Sequence, residues 1–344
     1  MGQKRIIWLD IARGLAMFCV IYGHVLPRNA GPGKWMYSWH IPIFFLITAI
    51  LLSMKDDWQQ MTYRELIIKD SKSILYPYFV FNMIDVTIMC FTSSVKAALN
   101  GVLHFCLFDG LQALWFLSAL FISRQLFFQL MKRTTKKEVI WAFVVTVLLI
   151  TSTFSAVKSW FDSQGGIYKS LYMLANIGNR SLIGLVFMII GYTATNFLRS
   201  IRLSYLTKGV TLFFTLILSV SLFDYNSVDL HFSLIGNPLL FYSLAIAGSV
   251  FIFILSDILS HFRLSGIIRF MGSNSIVFLI THLPVRQVLA FLFPSIDNKH
   301  KVVFFLMLVV VEYCVVWLVI RYLPFLYKLP RKQVNRKVGQ ADKV

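Results

Sequence analysis

The chain has 344 residues, of which 58% are hydrophobic and 14% charged, with a mean hydropathy of +0.72. Long apolar runs recur along its full length, which excludes an ordinary soluble domain and reads as a polytopic membrane protein. The net charge of +18 does not indicate a nucleic-acid partner, because the bases fall in short clusters between apolar spans, which is how membrane topology is written.

Ten candidate spans cover residues 6–27, 37–54, 74–92, 111–131, 139–156, 171–197, 209–223, 238–260, 273–293 and 302–326. With the N-terminus placed inside, 21 of the 33 Lys and Arg residues fall in inside segments and 7 in outside ones. That bias predicts an all-α integral membrane helix bundle of about ten transmembrane helices with both termini cytoplasmic. The polar segments are too short to bury cores of their own. Residues 1–330 therefore read as one transmembrane domain, and residues 331–344 as a basic tail lying disordered against anionic lipid. The first span lacks a small-residue cleavage site and holds polar residues in its middle, so it reads as a retained helix. Cys19, Cys90, Cys106 and Cys314 have no CxxC or Cys/His spacing, which indicates neither a disulfide framework nor a metal site.

The first span carries Asp10, Arg13 and His24. Ionisable groups in a membrane helix are expensive and mark a functional site by default. Eleven residues at about 100° each bring His24 to within about 20° of the face that holds Arg13, roughly 16 Å further along. An imidazole titrates near neutrality, which suits His24 to a general base; a hydrogen-bonded polar residue at the outer interface is the plainer reading. Arg13 needs anionic company, and Asp10, three residues before it, supplies some. Beyond that structural pair, a guanidinium near the cytoplasmic end suits a phosphate arriving from that side.

The second span opens with Trp39-His40-Ile41-Pro42-Ile43-Phe44-Phe45. His40 is a second site residue or an interfacial histidine in a belt with Trp35, Tyr37 and Trp39, and Pro42 allows a local break. The inside loop 55–73 mixes both charge signs and is expected to lie on the surface as an amphipathic helix. Lys72 and Tyr76 introduce the third span from the cytoplasmic face, where Lys72 can snorkel to phosphate or to lipid. Deeper in, Asn82 and Asp85 share a face and are expected to pair with Arg124 or Arg180. Trp115 and Phe116 begin the fourth span, as interfacial anchors or as the wall of a substrate cavity. Gly165 and Gly166 mark an outside loop. Near the other end, His282 lies mid-span with Arg286 one helical turn away, and Glu312 sits about ten residues into the last span, where it is expected to face the bundle interior.

Taken in order, these stretches resemble membrane acyltransferase family 3. Arg13 and His24, separated by ten residues and preceded by Leu9-Asp10, resemble its first-span signature. His40-Ile41-Pro42-Ile43-Phe44-Phe45 is similar to the start of its second span. Leu75-Tyr76-Pro77-Tyr78, Leu114-Trp115-Phe116-Leu117, and Gly272-Ser273-Asn274-Ser275 followed by His282-Leu283-Pro284 fall in the family's order. The subgroup most resembled is the stand-alone fucose 4-O-acetylase-like type. One departure is Ile47-Thr48-Ala49, where the family usually has a Ser-Gly pair suited to close helix packing.

The resemblance implies acetyl-CoA or another acyl-CoA as co-substrate, with no metal, and a glycan or lipid-linked sugar hydroxyl as acceptor, in the cytoplasmic membrane of a bacterium. Arg13, Lys72, Tyr76 and Arg124 would hold the donor. His40, Trp115, Phe116 and His282 would hold the acceptor, and His24 would act as base with Asp10, His40 or Glu312 in support. Direct transfer and an acyl-histidine intermediate both remain open, as does the residue that orients His24: His40, His282 or Glu312. Two other classes compete. A transporter or flippase for a glycan or anion would also use buried Arg, Asp and His, although no paired broken helices are visible. A non-catalytic membrane scaffold is the third.

Overall fold

The computed structural model describes residues 6–28, 31–55, 57–164, 167–200 and 204–329. The tail at 331–344 and the Gly165-Gly166 pair lie outside the described residues. Among those described, the regular elements are helices, and a single isolated bridge joins Asp229 and Leu234. In chain order they are α1 Ile7–Gly23, α2 Gly31–Tyr37, α3 Pro42–Lys55, α4 Tyr63–Asp70, α5 Tyr76–Thr92, α6 Val95–Cys106, α7 Trp115–Arg133 and α8 Lys137–Gln164. They continue as α9 Ile167–Ser200, α10 Tyr205–Leu222, α11 Pro238–Leu259, α12 Ser265–Ser273, α13 Ser275–Leu292, α14 Pro294–Lys299 and α15 Lys301–Tyr322.

Nine helical stretches among the described residues are long and apolar enough to cross a membrane. α1, with 17 residues, is slightly shorter, about 25 Å against a hydrocarbon core of about 30 Å. Together they occupy the ten spans expected from the sequence. Rings such as Trp39, Phe45, Phe127, Phe187, Phe241 and Phe278 fill the interior. α10 leaves Phe213, Phe214, Ile217 and Leu218 uncovered, as a face turned to lipid does.

One segment departs from the sequence reading, and two others gain detail from the structure. The 55–73 segment is not a separate surface helix. Its helix α4 starts on a capping box between Thr62 and Glu65 and continues through a single π-turn, Ser71–Leu75, into α5. The outside segment before the fourth span contains α6, started by the Ser94 side chain. Asn179 and Arg180 do not interrupt their span; both are buried within the continuous helix α9. Pro42 does mark a break, since residues 38–41 form turns between α2 and α3.

Glycines set the two closest helix contacts around the site. α12 lies across α1 so closely that a Cβ on Gly272 would strike the carbonyl oxygen of Asp10, and one on Gly14 the carbonyl oxygen of Ile268. This gives the Gly272-Ser273-Asn274 stretch its purpose: it locks the Asp10–Arg13 end of α1 in place. α3 meets α9 through Gly184 and Gly191, two turns apart, with Gly191 against the Leu46 backbone. The small residues that α3 lacks at Ile47-Thr48-Ala49 are therefore supplied by its partner.

Candidate active site

α1 ends at Gly23, and His24 is its C-cap, with its backbone N–H donating to the carbonyls of Ile21 and Tyr22. Gly23 has no side chain because the Tyr37 ring lies directly on it. The Tyr37 ring in turn stands 4.7 Å from that of His40. From α13, the His282 ring comes within 5.1 Å of the His24 ring, centroid to centroid. The fold thus brings three of the histidines singled out in the sequence to one end of α1.

The hydrogen bonds fix two tautomers. His282 Nδ1 lies 3.0 Å from the carbonyl oxygens of both Phe278 and Leu279, so it must carry the proton and donate. Its Nε2 is left with a lone pair, and that buried atom has no hydrogen-bond partner among the described residues. His40 Nδ1 donates to the Met36 carbonyl at 2.8 Å, which leaves its Nε2 as an acceptor too. His24 is half-buried, whereas His282 and His40 are buried. One imidazole is therefore open to a reacting molecule, and the others are held behind it with fixed proton placement. Next to His282, the Thr281 hydroxyl donates to Glu312 Oε1 at 2.5 Å. Glu312 is fully buried, as expected, and meets the cluster through Thr281 rather than by a bond to His24.

A second polar layer adjoins this end. Trp115 stacks on His231 at 5.5 Å with a 12° tilt, and the Arg180 guanidinium stands 5.2 Å from the Trp115 ring. Arg180 donates to the Asp109 carbonyl at 2.8 Å and pairs with the Asp109 carboxylate at 3.2 Å. Asp109 also accepts from His104 at 2.9 Å. The connecting loop places Phe108, Gly110 and Gln112 at φ of 64°, 73° and 51°. Left-handed backbone at two non-glycine residues is strain of the kind kept at functional sites. Phe116 packs edge-on and tilted against Phe45 and Phe44. His231, outside the spans, is held below its ordinary pKa by burial first and by the Arg180 charge second.

At the far end of α1, Arg13 is half-buried and lies within the electrostatic reach of Asp10 and Arg124. Arg124 is already engaged: its Nε and one Nη donate to the two oxygens of Asp70 at 2.8 and 2.7 Å, and Gln125 donates to the same carboxylate at 3.0 Å. Lys72 is exposed on the π-turn, and the Tyr76 hydroxyl donates to the Phe325 carbonyl at 2.5 Å.

The expected pairing of Asn82 and Asp85 with Arg124 or Arg180 is incorrect. Asn82 bonds the Tyr78 carbonyl and the Leu111 amide, while Asp70 and Asp109 take the two arginines. Asp70 ends α4 and Asp109 lies in the loop before α7, 54 and 71 residues in sequence from their partners. Their one visible signal is that each is an acid flanking an apolar span. His231 has no motif around it in the sequence that would single it out.

The model of the acyltransferase domain of family 3 matches residues 6–321. An all-helical, multi-pass membrane bundle with this match belongs to that family, and the protein is a membrane acyltransferase. No curated protein and no solved structure matches the chain.

Proposed function

We propose that this protein transfers an acetyl or related acyl group from cytoplasmic acyl-CoA to a hydroxyl of a cell-surface or exported sugar, with His24 as general base, in the cytoplasmic membrane of a bacterium. The observation that supports the reading best is the pairing of His24 with His282 at one end of a helix whose other end carries Arg13. The donor's phosphates lie at Arg13, with Arg124, Lys72 and Tyr76 on the same side, and the pantetheine arm runs roughly 16 Å along α1 to the histidines. Residues 1–330 act as one transmembrane unit in contact with lipid.

In the reaction, His24 takes the proton of the sugar hydroxyl as that oxygen attacks the thioester carbonyl. The C–O bond forms, the C–S bond breaks, and the proton passes from His24 to the departing thiolate, giving the sugar ester and free CoA. When the acceptor binds, the His282 Nε2 lone pair, unpartnered among the described residues, takes an N–H from the His24 ring 5.1 Å away and so keeps the other His24 nitrogen free to act as base. Trp115, Phe116 and His40 line the acceptor's side.

The test uses purified protein in nanodiscs with radiolabelled acetyl-CoA and a surface glycan from the source cells. Label moves to the glycan with the native protein, and His24→Ala abolishes this while inserting normally. Glycan movement across the bilayer without consumption of acyl-CoA overturns the reading in favour of a transporter.

A further inference from the structure

Two arginines hold their acids closely. Arg124 holds Asp70 in a two-pronged bond at 2.7–2.8 Å, and Arg180 reaches the Asp109 carbonyl at 2.8 Å. Arg28 and Arg286, near His24, hold theirs more loosely. Arg28 stands 3.5 Å from Asp229 and Arg286 3.8 Å from Asp297, both beyond good hydrogen-bond length. Their side chains remain 52% and 30% accessible, yet the Nε of Arg286 is buried without a partner among the described residues.

These two guanidiniums converge on the same place. Arg286 lies four residues beyond His282 on α13, about 6 Å along the axis and on nearly the same face. Arg28 follows the end of α1 by five residues and lies beside the Tyr37 hydroxyl, which sits over Gly23. Both charges act on the His24 ring. The Gln112 side chain, on the strained loop, accepts a bond from Gln287 at 3.3 Å and so ties that loop to the turn of α13 holding Arg286. Two accessible cations with donors to spare beside the proposed base offer a site to a ligand anion, and a guanidinium fork fits a carboxylate or phosphate.

We propose that the acceptor is an anionic glycan, whose carboxylate or phosphate is bound by Arg286 and Arg28 while its hydroxyl lies at His24. This rests on the acyl-transfer reading and narrows its substrate class. The spacing along α13 sets the anion about one sugar ring from the hydroxyl that is acylated. Asp229 and Asp297, the acids that face the two arginines, are displaced partners that hold them in place until the acceptor binds.

Calorimetry tests this on protein in nanodiscs, with three oligosaccharides of equal length: one neutral, one carrying glucuronic acid, one carrying a phosphodiester. His24→Ala is measured beside the native protein so that binding is read without turnover. At least one anionic glycan should bind about tenfold or more tighter than the neutral one, and added salt should erode the preference. The better of the two tells carboxylate from phosphate. Arg286→Gln should remove the preference and Arg286→Lys should keep part of it, which separates lost charge from lost folding. Equal affinity for all three, binding of no anionic glycan, or a preference unchanged in Arg286→Gln overturns the proposal. Preferential binding of an anionic glycan with no acetyl transfer leaves it standing and defeats the acyl-transfer reading instead; transfer to the neutral glycan at equal affinity does the reverse.

Discussion

The rings of His24 and His282 stand 5.1 Å apart with a 48° tilt between their planes, and two backbone carbonyls decide where the His282 proton sits. The pair is asymmetric. His24 is half-buried at the end of α1, and His282 is wholly buried on α13. Only one of them can meet a substrate directly, so the other is cast as its positioning partner.

That division gives the first prediction. His24→Ala should lower acyl transfer by about 10²- to 10⁴-fold, the range for removing a general base. His282→Ala should lower kcat by about 10²-fold through misplacement of the His24 ring, with little change in KM for the donor. His282→Gln, which can still present an acceptor to His24, should recover part of the loss. Steady-state kinetics on all three variants checks this, and an unchanged kcat in His282→Ala rules out the positioning role.

Arg124 and Asp70 give a second. Asp70 is 1% exposed and accepts from both Arg124 and Gln125. Breaking a buried pair by removing one partner strands a charge and costs about 3–5 kcal/mol. Asp70→Ala should therefore lower the melting temperature in detergent sharply. Arg124→Ala should do so as well and should also raise KM for acyl-CoA, because Arg124 sits within charge range of Arg13. An Arg124 variant that loses stability with KM unmoved would assign the residue to structure alone.

The span pattern was legible because each long apolar run lies within a single segment. That His282 and Arg286 lie one turn apart on one helix was legible as well, because both belong to a single segment. What joins segments was not. Asp70 and Asp109 find their arginines across long sequence separations, and nothing in local pattern encodes that choice over Asp85. The π-turn at Ser71–Leu75 was also hidden: it lets a polar surface helix run into an apolar span, which composition alone divides into two elements. The glycines of α9 show the same limit, since their partners, Phe45 and Leu46, lie on another helix.

Gly272 supports a third prediction, one about geometry rather than chemistry. A methyl at this position would meet the Asp10 carbonyl oxygen, which is backbone and cannot rotate aside. Gly272→Ala should push α12 off α1 and destabilise the protein by about 1–3 kcal/mol, the usual cost of overpacking. Because the displaced end of α1 carries Arg13, donor affinity should suffer more than acceptor affinity. Thermal melts and separate binding titrations of CoA and glycan check both parts; equal losses in the two titrations would mean that the displacement is not confined to the Arg13 end.

The last prediction concerns pH and rests on His231, in the segment between α10 and α11. Burial, and then the Arg180 charge, hold this imidazole below its ordinary pKa, against the weaker opposing pull of Asp109 and Asp229, with Arg28 adding to the lowering. The folded protein therefore keeps His231 neutral, stacked on Trp115 at 5.5 Å. The unfolded chain takes up that proton near pH 6.5. A group whose folded pKa is depressed gives its full stabilisation above the unfolded value and loses it as pH falls below. The melting temperature should accordingly fall as pH drops from about 7 toward 5, as the stack faces protonation beside Arg180. His231→Phe keeps a ring against Trp115 and removes the titration, so its melting temperature should vary less over that interval. Parallel melts at closely spaced pH values decide the matter: identical slopes for the two proteins would show that some other group carries the acid sensitivity and that His231 takes up its proton equally in the folded and unfolded states.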